Sequence, residues 1–218
     1  TGRAGVLYLF DNGVAPYISY SESFNPNSYS DSTGNPLAPT DGKQWEAGIK
    51  YQPPGTDNLF TASVFRIDQE NLATKLPQEN FYRAIGAVRS QGLELEAHMQ
   101  LTDNFKVLGS YTLTDIDYSK SMPSTVSDVD NKGNSPTQAP KHMASLWGDY
   151  KFNSGALDGL RLGTGLRYVG SSWVDAENTM KVPSYTLWDA SMGYDLGKVG
   201  LKGVDVRLNA NNLTNESY

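Results

Sequence analysis

Apolar and polar side chains alternate along this chain in stretches of about ten residues, the length of a strand that crosses a membrane. The last stretch shows it best: Val204, Val206, Leu208 and Ala210 share one parity, while Asp205, Arg207, Asn209 and Asn211 share the other. Side chains of an extended strand point alternately to opposite faces, so one face here is apolar and the other wetted. The same alternation sets Leu93, Leu95, Ala97, Met99 and Leu101 against Glu94, Glu96, His98 and Gln100. It sets Leu160, Leu162, Leu166 and Tyr168 against Arg161, Gly163, Gly165 and Arg167, and Trp45, Ala47, Ile49 and Tyr51 against Gln44, Glu46, Gly48 and Lys50. The pattern blurs at 3–10, where both faces are apolar, and at 59–67, where Phe60, Ala62 and Val64 compete with Leu59, Phe65 and Ile67.

Ten antiparallel strands are predicted, at 3–10, 14–24, 42–51, 59–70, 86–101, 105–117, 140–152, 160–169, 183–196 and 203–213. Their connections alternate in kind. Residues 11–13, 53–58, 102–104, 153–159 and 197–203 are short and rich in turn formers, whereas 25–41, 71–85, 118–139 and 170–182 are long and polar. Short turns on one rim and long loops on the other are the arrangement of an outer-membrane β-barrel. Aromatics gather near strand ends, among them Tyr8, Phe10, Tyr20, Phe24, Trp45, Tyr51, Tyr150, Phe152, Tyr168, Trp188 and Tyr194. Amphipathic rings at headgroup level form the girdles of such barrels. The fold class read from the pattern is therefore all-β, an antiparallel transmembrane β-barrel segment, with a soluble β-sandwich as the alternative.

Composition narrows the picture. The 218 residues are 38% hydrophobic with a mean hydropathy of -0.49, and no run of roughly eighteen apolar residues occurs. Membrane-spanning helices are thereby excluded, but strands are not, because only alternate residues need be apolar. A net charge of -6 and the lack of a basic run argue against a nucleic-acid partner. Cysteine is absent, which removes disulfides and thiolate chemistry. The N-terminal residues carry no cationic stretch ahead of an apolar core, so no signal peptide is expected there. The two ends read as the middle of a strand and a loop just past one, so a fragment of a longer protein is expected.

No catalytic or metal-binding constellation stands out. His142 and Ser145 fall on opposite faces of one strand, and His98 shares a polar face with Glu94 and Glu96 without a nucleophile. Asp128-Val129-Asp130-Asn131-Lys132-Gly133 opens like a calcium loop but has Lys132 at the fifth position and Ala139 at the twelfth. Gly163-Thr164-Gly165 reads as strand glycines permitting a bend or a close approach, and the sequons at Asn212 and Asn215 are too short a pattern to carry weight. The polar face carries both signs, with Glu46, Lys50, Glu94, Glu96, Arg161, Arg167, Asp205 and Arg207 as the candidate lumen-facing or plug-facing residues. The loop aromatics Phe81, Tyr82, Tyr118 and Trp173 are the candidates for closing over a ligand at the outer mouth.

Longer strings carry more than alternation: Gly42-Lys43-Gln44-Trp45-Glu46-Ala47-Gly48-Ile49-Lys50-Tyr51, Ser90-Gln91-Gly92-Leu93-Glu94-Leu95-Glu96, and Asn211-Asn212-Leu213-Thr214-Asn215-Glu216-Ser217-Tyr218, with residues 14–26, 140–147 and 166–172. Along nearly the whole chain, and in the family's order, these strings resemble the barrel of TonB-dependent siderophore receptors, closest to the ferric hydroxamate receptors of the ferrichrome and ferrioxamine type. The resemblance implies a partial barrel over 1–218, about ten strands of an expected twenty-two, lacking the plug domain and the final strand. It implies a Gram-negative outer-membrane receptor that is not an enzyme and imports a ferric siderophore with TonB-derived energy, in contact with its own plug domain and outer-membrane lipid. No cofactor is implied, because ferric iron is a hard cation already wrapped by the chelate's oxygens and needs no protein ligand. A general porin, an outer-membrane lipase and a soluble binding module are the rival readings.

Overall fold

The computed structural model describes residues 1–76, 79–121 and 130–218. Ten strands form one antiparallel sheet: β1 (Arg3–Leu7), β2 (Val14–Asn25), β3 (Thr40–Tyr51), β4 (Leu59–Thr74), β5 (Arg83–Thr102), β6 (Phe105–Lys120), β7 (His142–Lys151), β8 (Leu160–Val169), β11 (Tyr185–Asp195) and β12 (Asp205–Ala210). Neighbours in sequence are neighbours in space throughout, so the sheet is an unbroken meander. Two short strands, β9 (Ser172–Trp173) and β10 (Lys181–Val182), pair with each other in the connection between β8 and β11. That connection was expected to be loop alone, and strands of two residues are too short to show alternation.

Register converts the sequence pattern into two faces. Ile18, Ala47, Val64, Leu93 and Leu113 stand directly opposite one another across β2 to β6. Tyr150, Leu162, Met192 and Leu208 do the same across β7, β8, β11 and β12. Opposed residues share a face, so these rows merge into one apolar surface. The ambiguity at 59–67 is resolved by the same rule. Val64 lies opposite Ala47 and Leu93 on the apolar face, which sends Leu59, Phe65 and Ile67 to the polar one.

The apolar surface covers no core. Only Ala15, Ala87 and Leu187 are buried hydrophobic residues among those described, whereas Trp45, Leu146, Leu166 and Leu208 are each more than half exposed. A β-sandwich hides such a face against a second sheet, and among the described residues none lies across it. A face of this kind needs a non-aqueous solvent.

Strand length follows the same logic. Crossing the hydrocarbon takes about 9–11 tilted residues. The ten residues of β7 and β8 and the eleven of β11 match that, while β4, β5 and β6 run to 16, 20 and 16. Their excess stands on the rim of the long connections, because the other end of β5 turns into β6 through residues 103–104 alone. Tyr118 consequently belongs to β6 and not to a loop, as the sequence had suggested. On the short-turn rim, Gly13 adopts a φ of 85° and a Cβ there would collide with the Gln52 carbonyl, so the β1–β2 turn requires glycine.

Candidate functional site

Two surfaces offer chemistry: the polar face of the sheet and the long-loop rim. All eight charged candidates lie on the polar face. Glu46 is opposite Phe65 and Ser19, Lys50 opposite Ala15 and Thr61, Glu94 opposite Ser63 and Thr112, and Glu96 opposite Thr61 and Ser110. The Tyr17 hydroxyl donates to Glu46 Oε1 at 2.5 Å and Gln44 Nε2 donates to Oε2 at 3.1 Å, while Lys50 Nζ sits 5.5 Å from the centre of the Tyr17 ring. At the other end of the sheet Arg161 pairs with Asp149 at 3.4 Å and Arg167 with Asp189 at 3.3 Å. Arg161 and Arg207 flank Gly193 from either side, and Asp205 stands opposite Asp195. The wall is thus acidic around β3 and β5 and carries arginines on β8 and β12.

Sequence reasoning missed Trp147 on this face. Its indole lies flat over Gly163 and Gly165, where added Cβ atoms would come within 2.6 and 2.5 Å of ring carbons. The glycines of this Gly-x-Gly therefore make room for a ring, not for a phosphate. The readable signal was two glycines of one parity on a strand that neighbours an aromatic.

His142 takes a structural partner. His142 Nδ1 is 2.9 Å from the Tyr111 hydroxyl on the apolar face, whereas Ser145 Oγ meets Ser110 Oγ at 2.8 Å on the polar face. No hydrolytic pair forms between them. No group of three or more His, Cys, Asp or Glu suited to a metal ion occurs among the described residues. The calcium-like run begins at Asp128 and Val129, which lie outside them.

The rim loops are tied in adjacent pairs. Tyr82, beside Phe81, stacks on Tyr29 with ring centroids 3.9 Å apart, and its N–H donates to the Ser30 carbonyl at 3.3 Å. Phe81 faces the Arg83 guanidinium at 5.4 Å. Asn71 Nδ2 donates to Asp41 Oδ2 at 3.0 Å, closing this first pair. In the second pair Asn178 uses its amide twice on Ser135, accepting from its N–H and donating to its carbonyl, both at 2.9 Å. Asn134 Nδ2 donates to the Ala176 carbonyl and the Gln138 N–H to the Trp173 carbonyl, each at 2.9 Å. Trp173 carries Lys181 Nζ 4.2 Å above its ring. Tyr118 lies nearby, its hydroxyl pKa raised by burial and by the charge of Glu177. Asp175 ends the loop's turn by accepting from the Thr179 and Met180 N–H groups, which hold its pKa below the ordinary value. The four aromatic candidates therefore divide between two rim clusters and do not form one site.

Asn178 also holds a left-handed φ of 60°, so glycine is the substitution that removes its amide without straining the backbone. In Asn178→Gly, deuterium uptake at residues 130–139 and 172–182 should rise about tenfold, the equivalent of losing one or two net hydrogen bonds. Unchanged uptake would show the loops to be held by other contacts.

Comparisons with known proteins place this architecture. A family model described as TonB dependent receptor-like, beta-barrel matches residues 1–213. The ferrioxamine B receptor of Salmonella typhimurium is 50% identical over 216 residues, 99% of this chain and 30% of that protein. The ferrichrome outer membrane transporter/phage receptor of Escherichia coli is 48% identical over 219 residues, 100% of this chain and 28% of that protein. The crystal structure of the siderophore receptor PiuA from Acinetobacter baumannii superimposes with a TM-score of 0.76 at 27% identity, covering 98% of this chain and 31% of that one. The chain spans about 30% of the length of the curated relatives it matches. Its meander, its exposed apolar face and the extent of the family match leave one assignment: the chain belongs to the family of TonB-dependent receptor β-barrels.

Proposed function

We propose that this chain is one part of the barrel wall of a Gram-negative outer-membrane receptor that binds a ferric siderophore of the hydroxamate type and imports it with energy from TonB. The observation that carries the reading is identity near one half, sustained over the whole chain, with receptors named for ferrioxamine B and for ferrichrome. A cargo whose iron is already saturated by hard oxygen donors would ask the wall for shape and polarity, not for metal ligands.

In this reading the apolar face meets lipid and the polar face meets a plug carried elsewhere in the protein. Glu46, Glu94 and Glu96 would receive cationic plug groups, and Arg161, Arg167 and Arg207 would receive carboxylates. The rim aromatics Phe81, Tyr82, Tyr118 and Trp173 would border the mouth through which the chelate enters. A general porin of similar strand pattern would lack the plug and would pass small solutes without TonB.

Growth supplies the test. Expressed from its whole gene in an iron-starved outer-membrane host lacking its own hydroxamate receptors, the protein should restore growth on ferrioxamine B or ferrichrome. Growth should vanish when TonB is deleted. Growth without TonB would favour the porin, and restoration only by catecholate chelates would overturn the hydroxamate assignment.

A further inference from the structure

Where the apolar face ends at the long-loop rim, the charges on its outward side change character along the sheet. Across β2 to β6 one row reads Glu22, Lys43, Asp68, Arg89 and Asp117, each opposite the next. The signs alternate, and Arg66 and Arg89 both bond Asp68, at 2.9 and 2.8 Å, so this sector is internally neutralised. Across β6 to β8 the pattern gives way to a hollow of about 340 Å³ lined by Lys141, His142, Lys181, Tyr168 and Trp173, with three serines and a single carboxylate, Asp115. Asp115 accepts from Lys141 Nζ at 2.9 Å. His142 gives Nδ1 to Tyr111, which leaves Nε2 as the remaining polar atom of the ring. The hollow is therefore cationic on balance, and it is rich in donors suited to phosphate oxygens.

Its position decides what occupies it. His142 stands opposite Leu113, and Tyr168 stands opposite Ala144, one step along the strands from the Leu146–Leu166–Trp188 row. A hydrocarbon chain lying on that row runs directly into the hollow. We infer that this hollow is a binding site for the phosphate of an outer-leaflet lipid headgroup, with Lys141, Lys181 and His142 on the phosphate and the acyl chain on Leu146 and Leu166. The apolar continuity separates a lipid from a soluble anion, which would gain nothing from the leucine row. The same lipid would brace the tied loop pair above it, because Lys181 and Trp173 belong to that loop.

The test uses the complete receptor carrying this segment, in phosphatidylcholine vesicles with or without lipid A as the phosphorylated lipid. Native mass spectrometry should show lipid A retained by the unmodified protein. The double variant Lys141→Gln/Lys181→Gln should lose it about tenfold, at roughly a few-fold per headgroup lysine. Lys202→Gln, in the turn of the opposite rim, should stay within about twofold in the same cation–headgroup accounting. Without any substitution, amine-reactive labelling of Lys141 and Lys181 should fall when lipid A is present, which covers the case of a variant that does not fold. Equal retention by the double variant, equal loss in Lys202→Gln, or unchanged labelling would each overturn the site. Protection of the two lysines by millimolar inorganic phosphate in lipid-free detergent would overturn it in favour of a soluble anion. None of these readouts involves a siderophore, so they stand or fall apart from the transport reading.

Discussion

Presented alone to detergent or lipid vesicles, these 218 residues should give no monodisperse, heat-resistant, membrane-inserted monomer. The reason lies at the two ends of the sheet order, where among the described residues β1 and β12 each pair with one neighbour only, β2 and β11. Their outward N–H and C=O groups have no partner strand, and hydrocarbon supplies none. At roughly 2–4 kcal/mol for each unsatisfied group, the outward groups, about ten on two edges of five and six residues, cost on the order of 20–40 kcal/mol. That exceeds the net stability of ordinary domains, about 5–15 kcal/mol. The expected product is aggregate, or oligomers in which β1 of one copy meets β12 of the next. Light scattering after size exclusion, with heat-modifiable migration on a denaturing gel, reads the outcome directly. A single inserted monomer that resists heat would refute the argument.

The sheet was largely legible because its physical cause is periodic. Wherever one face meets lipid and the other meets water, as at 93–101 and 160–168, parity alone assigns both faces, and the register bears this out. Legibility failed where that contrast ends. Beyond about residue 67 of β4 the strand leaves the apolar layer, Asp68, Gln69 and Glu70 are polar on both faces, and its continuation to Thr74 carried no signal. The same loss hid the outer end of β6 and put Tyr118 in a loop. At 59–67 the obstacle was different. Phe65 is a large apolar residue on the polar face because it packs against Gly92, where a Cβ would lie 3.0 Å from its ring, and such cross-strand filling is invisible to alternation. The charged wall could be read from parity, but the tie between Ser135 and Asn178 could not. It joins residues 43 apart through side-chain amides and has no periodic trace.

The seat of Trp147 supports the second large prediction, which turns on what kind of atom each glycine faces. The atoms nearest a Cβ at Gly163 would belong to side chains, Trp147 Cζ2 and Ser191 Oγ, both at 2.6 Å. A Cβ at Gly165 would meet the Trp147 ring at 2.5 Å and also the Leu146 carbonyl oxygen at 2.6 Å and Trp147 Cα at 3.1 Å. In the complete barrel, alanine at either glycine should therefore cost about 1–3 kcal/mol of overpacking. Removing the indole should separate the two cases. In a Trp147→Ala background the ring is gone and Ser191 can rotate, so Gly163→Ala should add little further loss. Gly165→Ala should keep most of its cost, because the Leu146 carbonyl belongs to a strand held in register on both sides and cannot withdraw. The two double-mutant cycles should then differ, with a coupling of roughly 1 kcal/mol or more for Gly163 and a smaller one for Gly165. Urea unfolding midpoints in lipid vesicles measure both. Equal couplings would mean that the indole moves as a whole to relieve either clash. In that case Trp147 would be a mobile ring on a polar wall rather than the fixed apolar platform that its glycine seat describes.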